Sequence, residues 1–172
     1  RKIAFTGSTE VGKWIMERAA KQVKRLSFEL GGNAPFIVFD DADLDAALEG
    51  AVAIKFLRVG GQSCICANRI YVQESLADRF IPVFVERVKT LHVGPGFESG
   101  AQVGPLINEE TRRKVHALVE DAVQRGARVA VGGHPIKDGP LASGFFYAPT
   151  VLLDVTDAMP VCQEEIFGPV AP

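Results

Sequence analysis

The sequence predicts an α/β fold with a largely parallel sheet, and three observations carry that prediction. Short apolar runs bounded by turn residues alternate with longer stretches whose apolar residues recur every three or four positions. Glycine-rich or aspartate-rich turns sit at the junctions, where strands hand over to helices. No internal repeat or low-complexity segment interrupts the alternation, which is the signature of strand–helix–strand units rather than of a solenoid.

Taken in order, Ile3–Phe5 reads as a strand, and Gly12–Ala20 as a helix with Val11, Ile15 and Ala19 on one side. Phe36–Phe39 is a short apolar run between Pro35 and Asp40-Asp41, which suits a buried strand. Asp41 or Asp43 then caps a helix through Leu44, Ala47, Leu48 and Ala51. Arg69–Gln73 is strand-like. Leu76, Phe80, Phe84, Val88 and Leu91 have helical spacing, with Pro82 expected to kink or interrupt that helix. Asn108 followed by Glu109-Glu110 starts another helix, faced by Val115, Leu118, Val119 and Ala122 and stopped by Gly126. Arg128–Val131 returns as a strand.

At 172 residues, 47% hydrophobic and 23% charged with a net charge of -2, the chain has the composition of a globular protein with a sizeable core. This balance offers no basic surface for nucleic acid. No apolar run approaches the ~20 residues of a membrane span, so no membrane partner is expected. Three cysteines, Cys64, Cys66 and Cys162, are too few for a disulfide framework and favour a reducing, cytoplasmic setting. The chain opens inside a strand pattern and closes on "FGPVAP", which reads as a piece of a longer protein.

Three motifs bear chemistry. "FTGSTEVGKW" places four residues between Gly7 and Gly12-Lys13, as a P-loop does, but Trp14 stands where a Mg²⁺-binding hydroxyl belongs. A glycine turn entering a helix still points N–H groups at a phosphate, with Ser8 and Thr9 adding hydroxyls; alternatively it is a capped helix after a tight turn. In "SFELGGNAPF", Glu29 adjoins Gly31-Gly32, where it is either a general base or a solvated, capping carboxylate. In "GGQSCICANR", Cys64 follows a flexible glycine lead with Arg58 and Arg69 nearby in sequence; it is either a nucleophile or a structural cysteine. A sparse Cys-x-Cys, with His92, His116 and His134 in unrelated segments, argues against zinc or any other metal.

In this order the motifs resemble the aldehyde dehydrogenase superfamily, from Arg1 to Pro172. "FTGSTEVG" is similar to its phosphate-contacting turn, "FELGGNAP" to its glutamate motif, "GQSCICANR" to its cysteine motif and "EEIFGP" to its ribose-binding motif. "ELGGNAPFIVFDDADLD" and "CICANRIYVQ" resemble the succinate-semialdehyde branch; "EEIFGP" is more typical of general aldehyde dehydrogenases. The resemblance implies Rossmann-type, parallel-sheet cofactor and catalytic domains, of which this chain is the central part. Residues 1–28 would end the NAD(P)-binding domain, and 29–172 would belong to the catalytic domain.

It also implies NAD(P)-dependent oxidation of an aldehyde, succinate semialdehyde to succinate, through a thiohemiacetal and a thioester on Cys64. The Cys64 N–H and an Asn preceding this chain would hold the oxyanion, and Glu29 would activate the hydrolytic water. Gly7, Ser8 and Gly12 would line the pyrophosphate site, Leu30 would contact the nicotinamide, and Glu165 with Phe167 would hold its ribose and ring. Arg58, six residues before Cys64, would bind the substrate carboxylate, with a surface role as the alternative. A betaine-type or aliphatic aldehyde is the alternative substrate, a non-catalytic nucleotide-binding piece the alternative class, and the full-length protein would be a homo-oligomer.

Two departures stand out. The family's "FRNAGQTC" is "LRVGGQSC" here, with Val59 for the common Asn, and Asp43 to Cys64 is one residue longer than usual. One extra helical residue rotates the downstream chain by ~100° unless a bulge absorbs it. Finally, Cys66 is a candidate redox partner for Cys64. In a strand, residues i and i+2 share a face about 6.6 Å apart, at the upper end of the range a disulfide spans. Packing under the site is the alternative role for Cys66.

Overall fold

Strand β1 (Lys2–Gly7) runs through Ser8 into helix α1 (Thr9–Ala20), and strand β2 (Arg25–Leu30) returns parallel to β1. The computed structural model describes residues 1–172. It contains two compact units, Arg1–Gly32 and Asn33–Pro172. Strand β2 stays in register with β1 through Leu30, so Glu29 lies in the first unit.

The second unit begins with strand β3 (Ala34–Val38), followed by helix α2 (Leu44–Val52), whose first turn is capped by Asp43 Oδ1 accepting from Ala46 N at 3.0 Å. Strand β4 (Ala67–Val72) pairs parallel with β3, and helix α3 (Glu74–Lys89) comes next. Helix α4 (Glu109–Gln124) starts at Asn108, whose Oδ1 accepts from Thr111 N at 2.8 Å. Gly126 beyond it takes a φ of 105°, which ends the helix. Strand β5 (Arg128–Val131) is antiparallel to β6 (Thr150–Leu153); the short helix α5 (Pro160–Gln163) and strand β7 (Val170–Ala171) complete the chain, with β7 parallel to β6.

Two apolar layers cover the sheet, and β6 feeds both. Val151 joins Val38, Leu48, Phe56, Phe80 and Phe84 of the α2–α3 side, whereas Leu152 joins Val115, Val119, Val161 and Ile166 of the α4–α5 side. Successive strand residues point to opposite faces, so one strand can serve both cores. Phe80 and Phe84 stack with ring centroids 5.5 Å apart. An Ile70 N–H donation to Pro172 O at 2.9 Å connects β4 to the end of β7.

Three sequence expectations change. Pro82 lies inside α3 without interrupting it. Its missing N–H falls on the exposed side of the helix, where water can serve the freed carbonyl, while Phe80 and Phe84 anchor the turns to either side. Phe36–Phe39 is covered on one face only: Val38 is buried, but Ile37 and Phe39 are exposed. The strand pairings are largely parallel, as expected, with β5–β6 the antiparallel one. Cys64 and Ile65 form a turn, not a strand, and β4 starts only at Ala67.

Candidate active site

In the first unit the register Thr6↔Glu29 and Gly7↔Leu30 sets the turn and the carboxylate at the same, C-terminal end of two parallel strands. That end faces the start of α1, where the helix dipole favours an anion. Ser8 is the N-cap, its Oγ accepting from Val11 N at 3.4 Å, while Gly12 N donates to Ser8 O at 3.0 Å. Gly12 is buried against Leu30: a Cβ there would lie 2.8 Å from Leu30 Cδ2. A side chain at position 12 would make Leu30 shift, so glycine eases the approach of α1 to β2. Gly7, Ser8 and Glu29 are exposed at this edge, and Leu30 is half-buried. The chain's own residues thus fit a pyrophosphate beside a carboxylate.

In the second unit the cysteine turn is reached through an unusual stretch of backbone. Helix α2 passes into a π-helical turn, Ala53–Leu57, closed by Arg58 N donating to Ala53 O at 3.0 Å. A π-turn accommodates one residue more than an α-helical turn. Val59, Gly60 and Gly61 then take φ of 48°, 59° and 77° in succession. Left-handed backbone suits the two glycines and strains the β-branched Val59, at a position where Asn would tolerate it better.

Gln62 pins the turn to a neighbouring loop. Its Nε2 donates to Pro105 O at 3.1 Å, and its Oε1 accepts from Ile107 N at 2.9 Å. Cys66 N donates to Ser63 O at 3.0 Å, which closes the turn and leaves Cys64 exposed at its tip. Arg58 is exposed at the exit of the π-turn.

Beneath the turn lie two titratable groups. Lys55 is fully buried, and its Nζ has no hydrogen-bond partner. Burial pulls its pKa down to about 8, an effect opposed by the neighbouring Cys66. Cys66 is 6% exposed and donates from Sγ to Ala67 O at 3.4 Å. Burial pushes its thiol up, with Lys55 acting in the opposite direction.

The Glu164–Pro169 segment packs on the same turn. Gly61 has no room for a side chain, because a Cβ would lie 2.2 Å from Gly168 O. Gly168 in turn presses on α4, where a Cβ would meet Val115 Cγ2 at 2.6 Å. Phe167 has a φ of 57°, and Lys114 Nζ donates to Glu165 O at 2.7 Å. Glu165 and Phe167 are both half-buried. The second unit therefore joins Cys64, Cys66, Glu165 and Phe167 into one packed region, while Gly7, Ser8, Gly12, Glu29 and Leu30 form a constellation of their own in the first.

Reading the motifs missed Lys55, Gln62, Asn33 and Asn68. Lys55 had a signal, a lone charge inside "AVAIKFL"; the two asparagines sit within quoted motifs but carry no charge to draw notice. A cavity of about 260 Å³ between β4 and β6 is lined by Ile70, Phe80, Leu153 and Cys162, among others, but not by Cys64, Arg58 or Glu165, so it is separate from this region.

The chain belongs to the aldehyde dehydrogenase family, whose sequence pattern it matches over residues 1–172. It is 55% identical over its whole length to a Sinorhizobium fredii protein named "Probable succinate-semialdehyde dehydrogenase", with NADP(+) in the name, of which it covers 34%. It is 52% identical to the NADP(+) succinate-semialdehyde dehydrogenase GabD of Escherichia coli, of which it covers 35%. A crystal structure described as an E. coli NADP dependent enzyme superposes with a TM-score of 0.94 at 51% identity, covering all of this chain and 35% of that one. The chain thus spans about a third of the length of the relatives it matches.

Proposed function

We propose that this chain is the central part of an NAD(P)-dependent aldehyde dehydrogenase that oxidises succinate semialdehyde to succinate. The observation that carries this reading is Cys64, exposed at the tip of a turn that Gln62, Gly61 and the Ser63–Cys66 hydrogen bond hold in place. The names of the two relatives support the substrate and favour NADP over NAD. A small aldehyde is the only substrate class required. The full-length protein is proposed to be a cytoplasmic homo-oligomer, since its thiols need reducing surroundings to stay free. No helix is long and apolar enough to cross a membrane.

In this reading the Cys64 thiolate attacks the aldehyde carbonyl, forming a C–S bond and an oxyanion that its backbone N–H stabilises. A bound nicotinamide would supply the hydride acceptor for oxidation of the Cys64 thiohemiacetal to the thioester. Glu29 takes a proton from the water that attacks the thioester carbonyl, and the C–S bond breaks to return Cys64 as thiolate and release the acid. Gly7, Ser8 and Gly12 hold the pyrophosphate at the α1 N-terminus, Leu30 contacts the nicotinamide, and Glu165 with Phe167 holds its ribose and ring. Arg58, exposed beyond the π-turn, pairs with the substrate's distal carboxylate.

Cys66 is proposed as the redox partner of Cys64. Peroxide oxidises exposed Cys64 to the sulfenic acid; the Cys66 thiol then displaces water to form the disulfide. The Ser63–Cys66 turn must open for the two sulfurs to meet.

The test of the central reading is substitution in the full-length enzyme. Cys64→Ala abolishes both succinate semialdehyde oxidation and ester hydrolysis, while Cys66→Ala keeps most of both. Robust turnover by Cys64→Ala overturns the assignment.

A further inference from the structure

We infer that Asn68, backed by Asn33, is the positioning residue that fixes Glu165 for the cofactor, an inference that rests on the ribose-holding role proposed for Glu165. A single carboxamide holds both neighbours of that glutamate. Asn68 Nδ2 donates to Glu164 O at 2.8 Å, and Asn68 Oδ1 accepts from Ile166 N at 3.0 Å. Its second N–H donates to Asn33 Oδ1 at 2.8 Å. Asn33 continues the chain of bonds, its Nδ2 donating to Cys162 O at 2.9 Å and Gln163 O at 3.0 Å. Every carbonyl from Cys162 to Glu164, and the N–H of Ile166, is thereby held by one of two side chains.

The backbone shows how Asn68 reaches this position. In the β3–β4 pairing, Ala34 faces Ala67 but Pro35 faces Arg69, so Asn68 is the unpaired residue of a β-bulge. A bulge re-aims the side chain of the extra residue, here toward the 162–166 segment. Asn68 is 3% exposed, and all its side-chain donors are used. The amide has one workable orientation: reversing it would turn an NH₂ against the Ile166 N–H. Arg69 Nη2 donates to Asn33 O at 2.8 Å, which fixes the second asparagine from behind. Asn33 of the glutamate motif and Asn68 of the cysteine motif thus meet at the ribose motif through two neutral amides.

A carboxamide is required because the site asks for two donors and one acceptor at once. In Asn68→Asp the acceptor for Ile166 N survives, but a carboxylate oxygen then faces both Asn33 Oδ1 and Glu164 O. Asn68→Ala removes all three bonds. Either change frees the main chain at Glu165 and lowers the population of the orientation that meets the ribose.

The experiment measures dinucleotide dissociation constants by calorimetry on the full-length enzyme, without aldehyde, in a double-mutant cycle with Glu165→Ala. Asn68→Ala is expected to weaken binding about tenfold, the effect of one or two net hydrogen bonds. In the Glu165→Ala background it should shift the constant less than about twofold. Cofactor-free ester hydrolysis at Cys64 should stay within about twofold of the parent, which separates this role from general damage to the fold. Asn33→Ser, away from the bulge, should weaken binding in the same direction and serves where Asn68→Ala does not fold. Unchanged binding in the asparagine variants beside a weakened Glu165→Ala, full additivity in the cycle, or a parallel fall in ester hydrolysis would overturn the inference. Unchanged binding in Glu165→Ala itself would overturn the ribose reading and this inference with it.

Discussion

Gly61 lies so close to Gly168 that a β-carbon would come within 2.2 Å of the Gly168 carbonyl oxygen. This contact joins the cysteine turn to the segment bearing Glu165 and Phe167, and both partners are main chain, so neither can swing aside. Gly61 also has a φ of 77°. Gly61→Ala is therefore expected to cost well over the ~1 kcal/mol of left-handed strain alone and to lower the melting temperature of the full-length enzyme by many degrees. Gly126→Ala is the control, having a φ of 105° but nothing within 4 Å of the added carbon. A melting temperature no lower for Gly61→Ala than for Gly126→Ala would contradict the contact.

Val59 carries strain that a substitution can release. Its φ of 48° is disfavoured for a β-branched residue, and at 62% exposure it buries little that would be lost. Val59→Asn or Val59→Gly should stabilise the enzyme by about 1 kcal/mol, read as a raised melting temperature. A lower one would show that Val59 makes a contact worth more than its strain.

Lys55 predicts a pH dependence. Its pKa falls from 10.5 to about 8 on folding, so between these values the unfolded chain binds the extra proton and stability rises with pH. Below about pH 8 the buried ammonium carries its full cost, on the order of 3 kcal/mol. Lys55→Met keeps the shape without the charge. It should be more stable than the parent at pH 7, with the difference in melting temperature closing toward pH 10. A variant less stable than the parent at pH 7 would assign Lys55 a structural partner for its charge.

Much of the fold was legible because local signals agreed with the tertiary structure: Asp43 and Asn108 cap their helices, and the apolar spacing of Leu76–Val88 and Val115–Ala122 is the buried face of each. Where the reading failed, longer-range packing decided. Pro82 survives in α3 because its open side faces water, and Cys64–Ile65 turn because the left-handed run Val59–Gly61 redirects the chain. The π-turn at Ala53–Leu57 left no local signal in the sequence. Asn33 and Asn68 could not be picked out, since their importance lies in partners 129 and 98 residues away.

The cysteine pair yields a redox prediction shaped by burial. Exposed Cys64 should react first with mild peroxide, while Cys66, whose thiol burial pushes up, should react slowly alone. Intact mass after oxidation should show loss of two hydrogens, reversed by thiol reductant along with activity. If Cys66→Ala shows the same reductant-reversible inactivation and the parent forms no internal disulfide, Cys66 is a packing residue only.

The most direct test of the covalent mechanism is a single turnover by full-length Glu29→Gln, mixed with succinate semialdehyde and oxidised cofactor. In the proposed mechanism acylation of Cys64 does not need the Glu29 carboxylate, whereas deacylation does. The expected result is a burst of reduced cofactor matching the enzyme concentration, no steady turnover, and an acyl adduct on Cys64 in the intact mass. Loss of the burst and the adduct together would contradict the mechanism, because Glu29 would then act before the thioester forms.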